Sequence, residues 1–309
     1  MAFTAQDVKN LREQTGCGMM DCKKALVETD GDFDGAVKVL RERGLAVAAK
    51  KADRIAAEGL VAIKFNDAND KAAMIEVNSE TDFVAKNETF TSFVEAVNAA
   101  ALASDLQGGK DGEDIEALLA VPFEGATVKD VLVEKTATIG EKLSIRRFEK
   151  VAGDVAVSYI HGGGRIGVLV VADTDVVNDE IKAALKNVAM QVAAMSPKYV
   201  SRQEVAQDYL DHEKEILLAQ AKKENPEKPD NIIEKMIIGR LNKELKEICL
   251  LDQVYVQDSD LTVAKYVDKV AKENGANVTV TKFVRFETGE GLEKKVDDFA
   301  AEVAAQAGM

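Results

Sequence analysis

Ala72-Ala-Met-Ile-Glu-Val-Asn-Ser-Glu-Thr-Asp-Phe-Val-Ala-Lys-Asn87 passes from a strand into a helix. Ala72 to Val77 is strand-like, and an amphipathic helix begins near Glu88, with Phe90, Phe93, Val94, Val97 and Ala101 on one face. Between them, Thr81 or Asp82 can cap a short helical turn, because either side chain accepts from free backbone N–H groups. Capping does not ask for Phe83 beside the aspartate. The ring sits at the mouth of a strand-to-helix connection, where loops carry function more often than packing. Its other reading is a local hydrophobic anchor that folds back.

The same design recurs further along. Ile181, Ala184, Leu185, Val188 and Val192 repeat the helical intervals at an offset of 91. Each helix follows two strand candidates: Leu60 to Phe65 with Ala72 to Val77, then Val155 to Ile160 with Ile166 to Val171. Each copy closes alike, Thr127-Val128 leading to Arg147-Phe148-Glu149 and Thr262-Val263 leading to Arg285-Phe286-Glu287. Two β-β-α-…-β modules side by side are expected, an α+β core of mainly antiparallel strands. The copies differ at one telling place: Thr81 to Asn87 is matched by Ala172-Asp-Thr-Asp-Val-Val-Asn178, without an aromatic residue. If the module's fold demanded Phe83, both copies would carry a ring. The difference favours a functional Phe83.

The second copy holds an insertion of roughly 45 residues, long enough for two helical arms of about 30 Å at 1.5 Å per residue. Val205, Tyr209, Leu217 and Ala221 mark one stripe, and Ile233, Met236, Ile237, Leu241, Leu245 and Ile248 another. Asn225-Pro-Glu-Lys-Pro229 forces the turn between them. Toward the N-terminus, a small three-helix unit is expected. Thr4 with Asp7 resembles a capping box, Gly16-Cys-Gly18 breaks the chain before Met19 and Met20, and Asp21 can cap the second helix. Phe33, Ala36, Val37 and Leu40 mark the third helix, Gly44 closes it, and Leu45 to Ala57 serves as a helical linker. After Gly289-Glu-Gly291, Leu292, Val296, Phe299 and Val303 share one face of a terminal helix. The expected division is 1–57 for the bundle and linker, 58–152 and 153–287 for the two modules, with the hairpin at about 204–250, and 288–309 for the terminal helix.

The formal charge is −14, which argues against nucleic acid as a direct ligand and against an anionic membrane surface. No stretch approaches the roughly 20 apolar residues of a membrane span, and the N-terminus shows no signal or transit pattern. Cys17, Cys22 and Cys249, an odd number, fit free thiols in a reducing compartment. They make no structural zinc set, and His161 and His212 lie far apart without a Cys partner, so no metal site is expected. Gly162-Gly-Gly-Arg-Ile-Gly167 matches G-x-G-x-x-G, yet Val168 to Val171 after it reads as a strand. A dinucleotide fingerprint needs a helix there, so the glycines are those of a hairpin turn. Glu80 and Asp82 can be imagined as a carboxylate pair, but nothing nearby suggests a substrate pocket.

Three stretches, Leu11-Arg-Glu-Gln-Thr-Gly-Cys-Gly-Met-Met-Asp-Cys-Lys-Lys-Ala-Leu26, Thr81-Asp-Phe-Val-Ala-Lys-Asn87 and Ile139-Gly-Glu-Lys-Leu-Ser-Ile-Arg-Arg-Phe148, carry a resemblance to the elongation factor Ts family. These are the nucleotide-exchange factors of bacterial translation, and the likeness runs essentially from end to end. It implies a cytoplasmic protein without cofactor or catalytic chemistry of its own. The implied partner is the GTPase elongation factor Tu, both GDP-bound and nucleotide-free. By the same resemblance, Thr81, Asp82, Phe83 and Val84 dislocate the partner's Mg²⁺, and Met19, Met20, Lys23, His161, Leu292, Val296 and Phe299 contact the partner. The N-terminal bundle, with its Gly-Met-Met turn, looks like a ubiquitin-associated-type fold. The alternative is a non-catalytic interaction scaffold that uses the bundle and the helical hairpin.

Overall fold

Residues 3–293 are described by a computed structural model, and they form a mixed helix-and-sheet fold of the α+β class. The first module opens with an antiparallel hairpin of β1 (Glu58–Phe65) and β2 (Lys71–Ser79). After it come α4 (Asp82–Ala85), α5 (Glu88–Ala103), β3 (Gly108–Gly109), α6 (Ile115–Leu119) and a small ladder of β4 (Pro122–Phe123) with β5 (Ala126–Thr127). Helix α7 (Val128–Ile139) begins at a Thr127–Asp130 capping box, and β6 (Ser144–Ala152) returns to give the sheet order β1-β2-β6-β3.

The second module repeats this course. Strands β7 (Val155–His161) and β8 (Ile166–Thr174) pair antiparallel, and α8 (Asp179–Met195) follows. Next come α9 (Gln207–Glu224), α10 (Asp230–Ile248), the pair β9 (Val254–Tyr255) and β10 (Asp258–Thr262), α11 (Val263–Glu273) and β11 (Val278–Glu287). Its sheet order is β11-β8-β7. Asn87 and Asn178, 91 residues apart, are the N-caps of α5 and α8, so the repeat holds at the helix starts.

The modules do not lie side by side; their sheets stack face to face. Ile75, Val77, Ile145 and Phe148 pack under α5 with Phe90, Val94 and Val97. Val168, Val170 and Val280 pack under α8 with Ile181, Leu185 and Val188. The opposite faces meet in a third apolar layer of Val61, Met74, Val151, Leu169, Val171, Val284 and Phe286. With both faces covered, β2 is buried from Ala72 to Ser79, which explains why its apolar residues, Ala72 to Ile75 and Val77, do not alternate with exposed ones.

Glu76 in that strand is fully buried. It accepts from Arg147 Nε at 2.6 Å, Arg146 Nη1 at 3.1 Å and the backbone N–H of Gly289 at 2.8 Å. Arg147 also lies over the Phe286 ring, 4.3 Å from its centre, and donates to the Glu287 carbonyl and the Glu290 carboxylate. A charge buried so deeply is tolerable only when paired and hydrogen-bonded on all sides. This cluster ties the first sheet to the chain leaving the second.

The closing triplets are alike in sequence and opposite in orientation. Phe148 faces its own module's helices, whereas Phe286 enters the layer between the sheets. Each closing ladder has a register irregularity, opposite Glu76/Val77 in one and at Val280/Lys282 in the other. These fall at different distances from the triplet, and a shift of one residue exchanges the two faces of a strand.

At the N-terminus, α1 (Ala5–Thr15) starts on the Thr4–Asp7 capping box and ends at Gly16, whose φ is 64°. Helix α2 (Met19–Glu28) begins from Gly18 and not from Asp21, which lies within the first turn and makes no capping bond. The Gly18 carbonyl already accepts from Asp21 and Cys22 N–H. Helix α3 (Phe33–Lys51) corrects a second expectation. Gly44 does not close it but sits buried in its middle, and the expected linker continues the helix as far as Lys51. The cause is tertiary: α3 packs along α7, with Gly44 against Val133 and Ala137. Such packing outweighs the cost of about 1 kcal/mol for a helical glycine.

Helices α9 and α10 form two arms with apolar clusters of their own, Val205, Leu241 and Leu245 in one, Ala221, Ile233 and Ile237 in the other. Their base is closed by Lys198 and Tyr199 N–H donating to the Ile248 carbonyl, and by Leu250 N–H donating to Tyr199. Gly162, Gly163 and Gly164 form the β7–β8 turn with φ of 59°, 66° and 99°. There the Gly164 carbonyl accepts from Val61 N–H, joining the turn to β1. Val296, Phe299 and Val303 of the expected terminal helix lie outside the described residues.

Candidate functional site

Strand β2 ends at Ser79, whose hydroxyl donates to the Thr81 carbonyl. Of the two possible caps, Thr81 is the one used: its Oγ1 accepts from Val84 N–H at 3.4 Å. Asn87 then caps α5 through Thr89 N–H, leaving α4 as a single turn between two caps. Within that turn the side chains part. Val84 packs against the first module's core, while Phe83 is 83 % exposed. The local anchor is therefore Val84 and not Phe83. Asp82 pairs with Lys86 at 2.7 Å, and the hydrogen bond from that ammonium holds its carboxyl below the usual range.

The turn is braced from the loop after α7. Glu141 Oε2 accepts from Glu80 N–H at 3.1 Å and Thr81 N–H at 3.0 Å, and its Oε1 accepts from the Thr81 hydroxyl at 2.7 Å. In return, Glu80 Oε1 accepts from Lys142 N–H at 2.6 Å. Arg54 Nη1 lies 3.3 Å from both Glu80 oxygens, and Lys142 Nζ donates to the Arg54 carbonyl at 2.9 Å. Glu80 and Asp82 thus serve different partners and form no carboxylate pair. Reading the sequence missed Glu141 and Lys142, although both lie in the quoted stretch Ile139 to Phe148. Their signal was an acidic residue directly after Gly140, at the end of a helix that sequence spacing did not bring near Thr81.

The second copy offers no such turn. Ala172 to Thr174, opposite Thr81 to Phe83 in the repeat, still belong to β8. The missing aromatic there reflects a different local structure, so it is no clean control for Phe83. The exposure of the ring speaks more directly.

His161 ends β7 and is exposed, its Nδ1 3.0 Å from the Tyr159 hydroxyl. The turn beyond it approaches α4: Gly162, Gly163 and Arg165 share a shallow depression with Asp82, Ala85 and Lys86. The structure therefore brings Asp82 and the His161 hairpin together at one end of the stacked sheets. Met19 and Met20 are 52 % and 62 % exposed on α2, and Lys23 is exposed beside them. The bundle's core is instead Leu11, Cys22, Ala25, Leu26 and Ala36. A cavity between bundle and α7 is lined by Cys17, Leu40, Val131 and Glu134, where burial pushes the Glu134 carboxyl and the Cys17 thiol up. Leu292, 38 % exposed, lines another depression with Ile55 and Arg146. Among the described residues there is no group of three His, Cys, Asp or Glu placed to hold a metal, and no helix long and apolar enough to cross a membrane.

The arrangement leaves apolar side chains exposed, a ring on a braced turn and a methionine pair on a helix. The sequence profile described as Elongation factor TS matches residues 80–290. Among curated proteins, the Elongation factor Ts of Clostridioides difficile (strain 630) is 56 % identical over 307 residues, 98 % of each chain. Those of Clostridium botulinum (strain Alaska E43 / Type E3) and Trichlorobacter lovleyi are 48 % and 50 % identical, covering 99 % and 100 % of both chains. The chain belongs to the elongation factor Ts family.

Proposed function

We propose that this protein is the guanine nucleotide-exchange factor of elongation factor Tu, acting in translation elongation in the cytoplasm without cofactor or catalytic chemistry of its own. Bound GDP is held by a phosphate-cradling loop and by Mg²⁺, which demands near-ideal octahedral geometry. A small displacement of the elements behind those ligands weakens the site. Phe83 is the wedge that makes it, with Asp82 bonding the displaced backbone and Thr81 and Val84 holding the turn. The observation that carries this reading is a ring 83 % exposed beside a valine that does the local packing. Nothing in the module's own stability asks for that ring.

Met19, Met20, Lys23, His161 and Leu292, with Val296 and Phe299 beyond the described residues, supply the broader contact. Residues 1–57 act as a ubiquitin-associated-like contact unit, 58–152 carry the wedge, 153–287 with the hairpin extend the contact, and 288–309 complete it. Coupling must be reciprocal, so nucleotide that the factor weakens also weakens the factor, which lets it leave. The direct test is release of a fluorescent GDP from purified elongation factor Tu. Substoichiometric amounts of this protein should accelerate release over many turnovers; an unchanged rate at saturating factor would contradict the function.

A further inference from the structure

We infer that Glu141 is a positioning residue for exchange, holding the Glu80–Thr81 backbone so that Phe83 is presented in one orientation. This deepens the proposed function and rests on the reading of Thr81 to Val84 as the device that acts on the partner. A single helical turn does not hold itself. Its first hydrogen bonds fix several dihedral angles for little return, so the nucleus is unstable alone. Helix α4 has four residues, closed by Ala85 N–H to the Thr81 carbonyl at 3.3 Å and Asn87 N–H to the Val84 carbonyl at 2.9 Å. On the interior side Val84 packs against the module's core. One inward apolar side chain leaves the turn free to tilt, and a second hold fixes its direction.

Glu141 supplies that direction. One carboxylate takes two consecutive backbone N–H groups and a hydroxyl at 3.1, 3.0 and 2.7 Å, all three charge-assisted. The reverse bond from Lys142 N–H to Glu80 at 2.6 Å closes a ring between the two backbones. Two carboxylates, each gripping the other's chain, resist rotation where one bond would act as a pivot. An exposed ring meant to displace a partner's helices needs such a mount. A loose turn would dock the same ring but spend the interaction on ordering itself.

Removing the brace should therefore lower the rate reached at saturation more than the affinity. Glu141→Ala is expected to slow GDP release at saturating factor about tenfold, the size of one lost charged hydrogen bond. The half-saturating concentration should change less than about threefold, well under the tenfold fall in rate. Amide hydrogen exchange at Glu80 and Thr81 should quicken more than exchange in the core strands. Glu141→Gln keeps one oxygen for the two N–H groups and should recover most of the rate. Phe83→Ala is measured in parallel, and adding Glu141→Ala to it should slow release no further.

The outcomes separate the two readings. If Phe83→Ala lowers the plateau and Glu141→Ala does not, the positioning role is wrong and the wedge survives. If Glu141→Ala costs the same factor with or without Phe83, it acts elsewhere and the inference falls. If Phe83→Ala keeps the wild-type plateau, the wedge reading itself fails. Should Glu141→Ala not fold, Glu141→Asp, one methylene too short to span the same bonds, gives the same decision by its plateau.

Discussion

The two modules of this protein share a plan and differ in what they do with it. Strand pair, capped helix, second helix and closing strand follow in the same order, and Arg-Phe-Glu sits at the close of each. Arg147, however, faces Glu76 across its ladder, whereas Arg285 faces Val168. The first module has a braced turn with an exposed ring; the second has continuous strand at that point and an inserted pair of helices. A duplicated frame thus tolerates divergence at its connections, while a shared apolar layer and one buried carboxylate join the two copies.

The largest effect is expected at that carboxylate. Glu76→Ala leaves Arg146, Arg147 and the Gly289 N–H without their buried acceptor. It should cost about 3–5 kcal/mol of stability in chemical denaturation, as for one partner removed from a buried pair. A loss below about 1 kcal/mol, the level of a surface ion pair, would show that the junction does not depend on Glu76.

The insertion offers a smaller effect. The arms carry their own clusters and the base is closed by backbone bonds around Tyr199 and Ile248. Replacing Glu213 to Arg240 with a short Gly-Ser linker should leave the cooperative unfolding of the sheets intact and reduce exchange without abolishing it. Loss of the folded core would contradict the independence of the hairpin. The smallest effect on stability is expected for Met19→Ser with Met20→Ser. Both side chains are already exposed, so unfolding should move by about 0.5 kcal/mol or less, while the complex with elongation factor Tu weakens. A collapse of the bundle would place the methionines in its core after all.

The stripe Phe90, Phe93, Val94, Val97 and Ala101 was legible because a period of 3.6 shows which face is buried, and all five are. The glycine turn at Gly162 was legible because a strand, not a helix, follows it. What escaped depends on contacts between distant segments. Nothing local says that Gly44 lies within a helix, because α7 supplies the reason. The facing of Phe148 and Phe286 depends on register irregularities that their shared triplet does not encode. At the site, Phe83 stood out as a ring without a local task, but Glu141 did not, since its partners lie about 60 positions earlier in the sequence. Glu76 did leave a trace, an acid inside the apolar stretch Ala72 to Val77, and such a residue calls for a buried partner.

On the proposed function, Phe83 acts on the partner's nucleotide site and does not merely add to the contact. GDP release from elongation factor Tu should be titrated against the concentration of wild type and of Phe83→Ala. If the ring's interaction is made chiefly in the distorted state and is worth about 2 kcal/mol, the mutant's plateau should lie roughly thirtyfold below wild type. Its half-saturating concentration should change little, because the other surfaces remain. A mutant that reaches the wild-type plateau, only at higher concentration, would make Phe83 an ordinary contact and contradict the account.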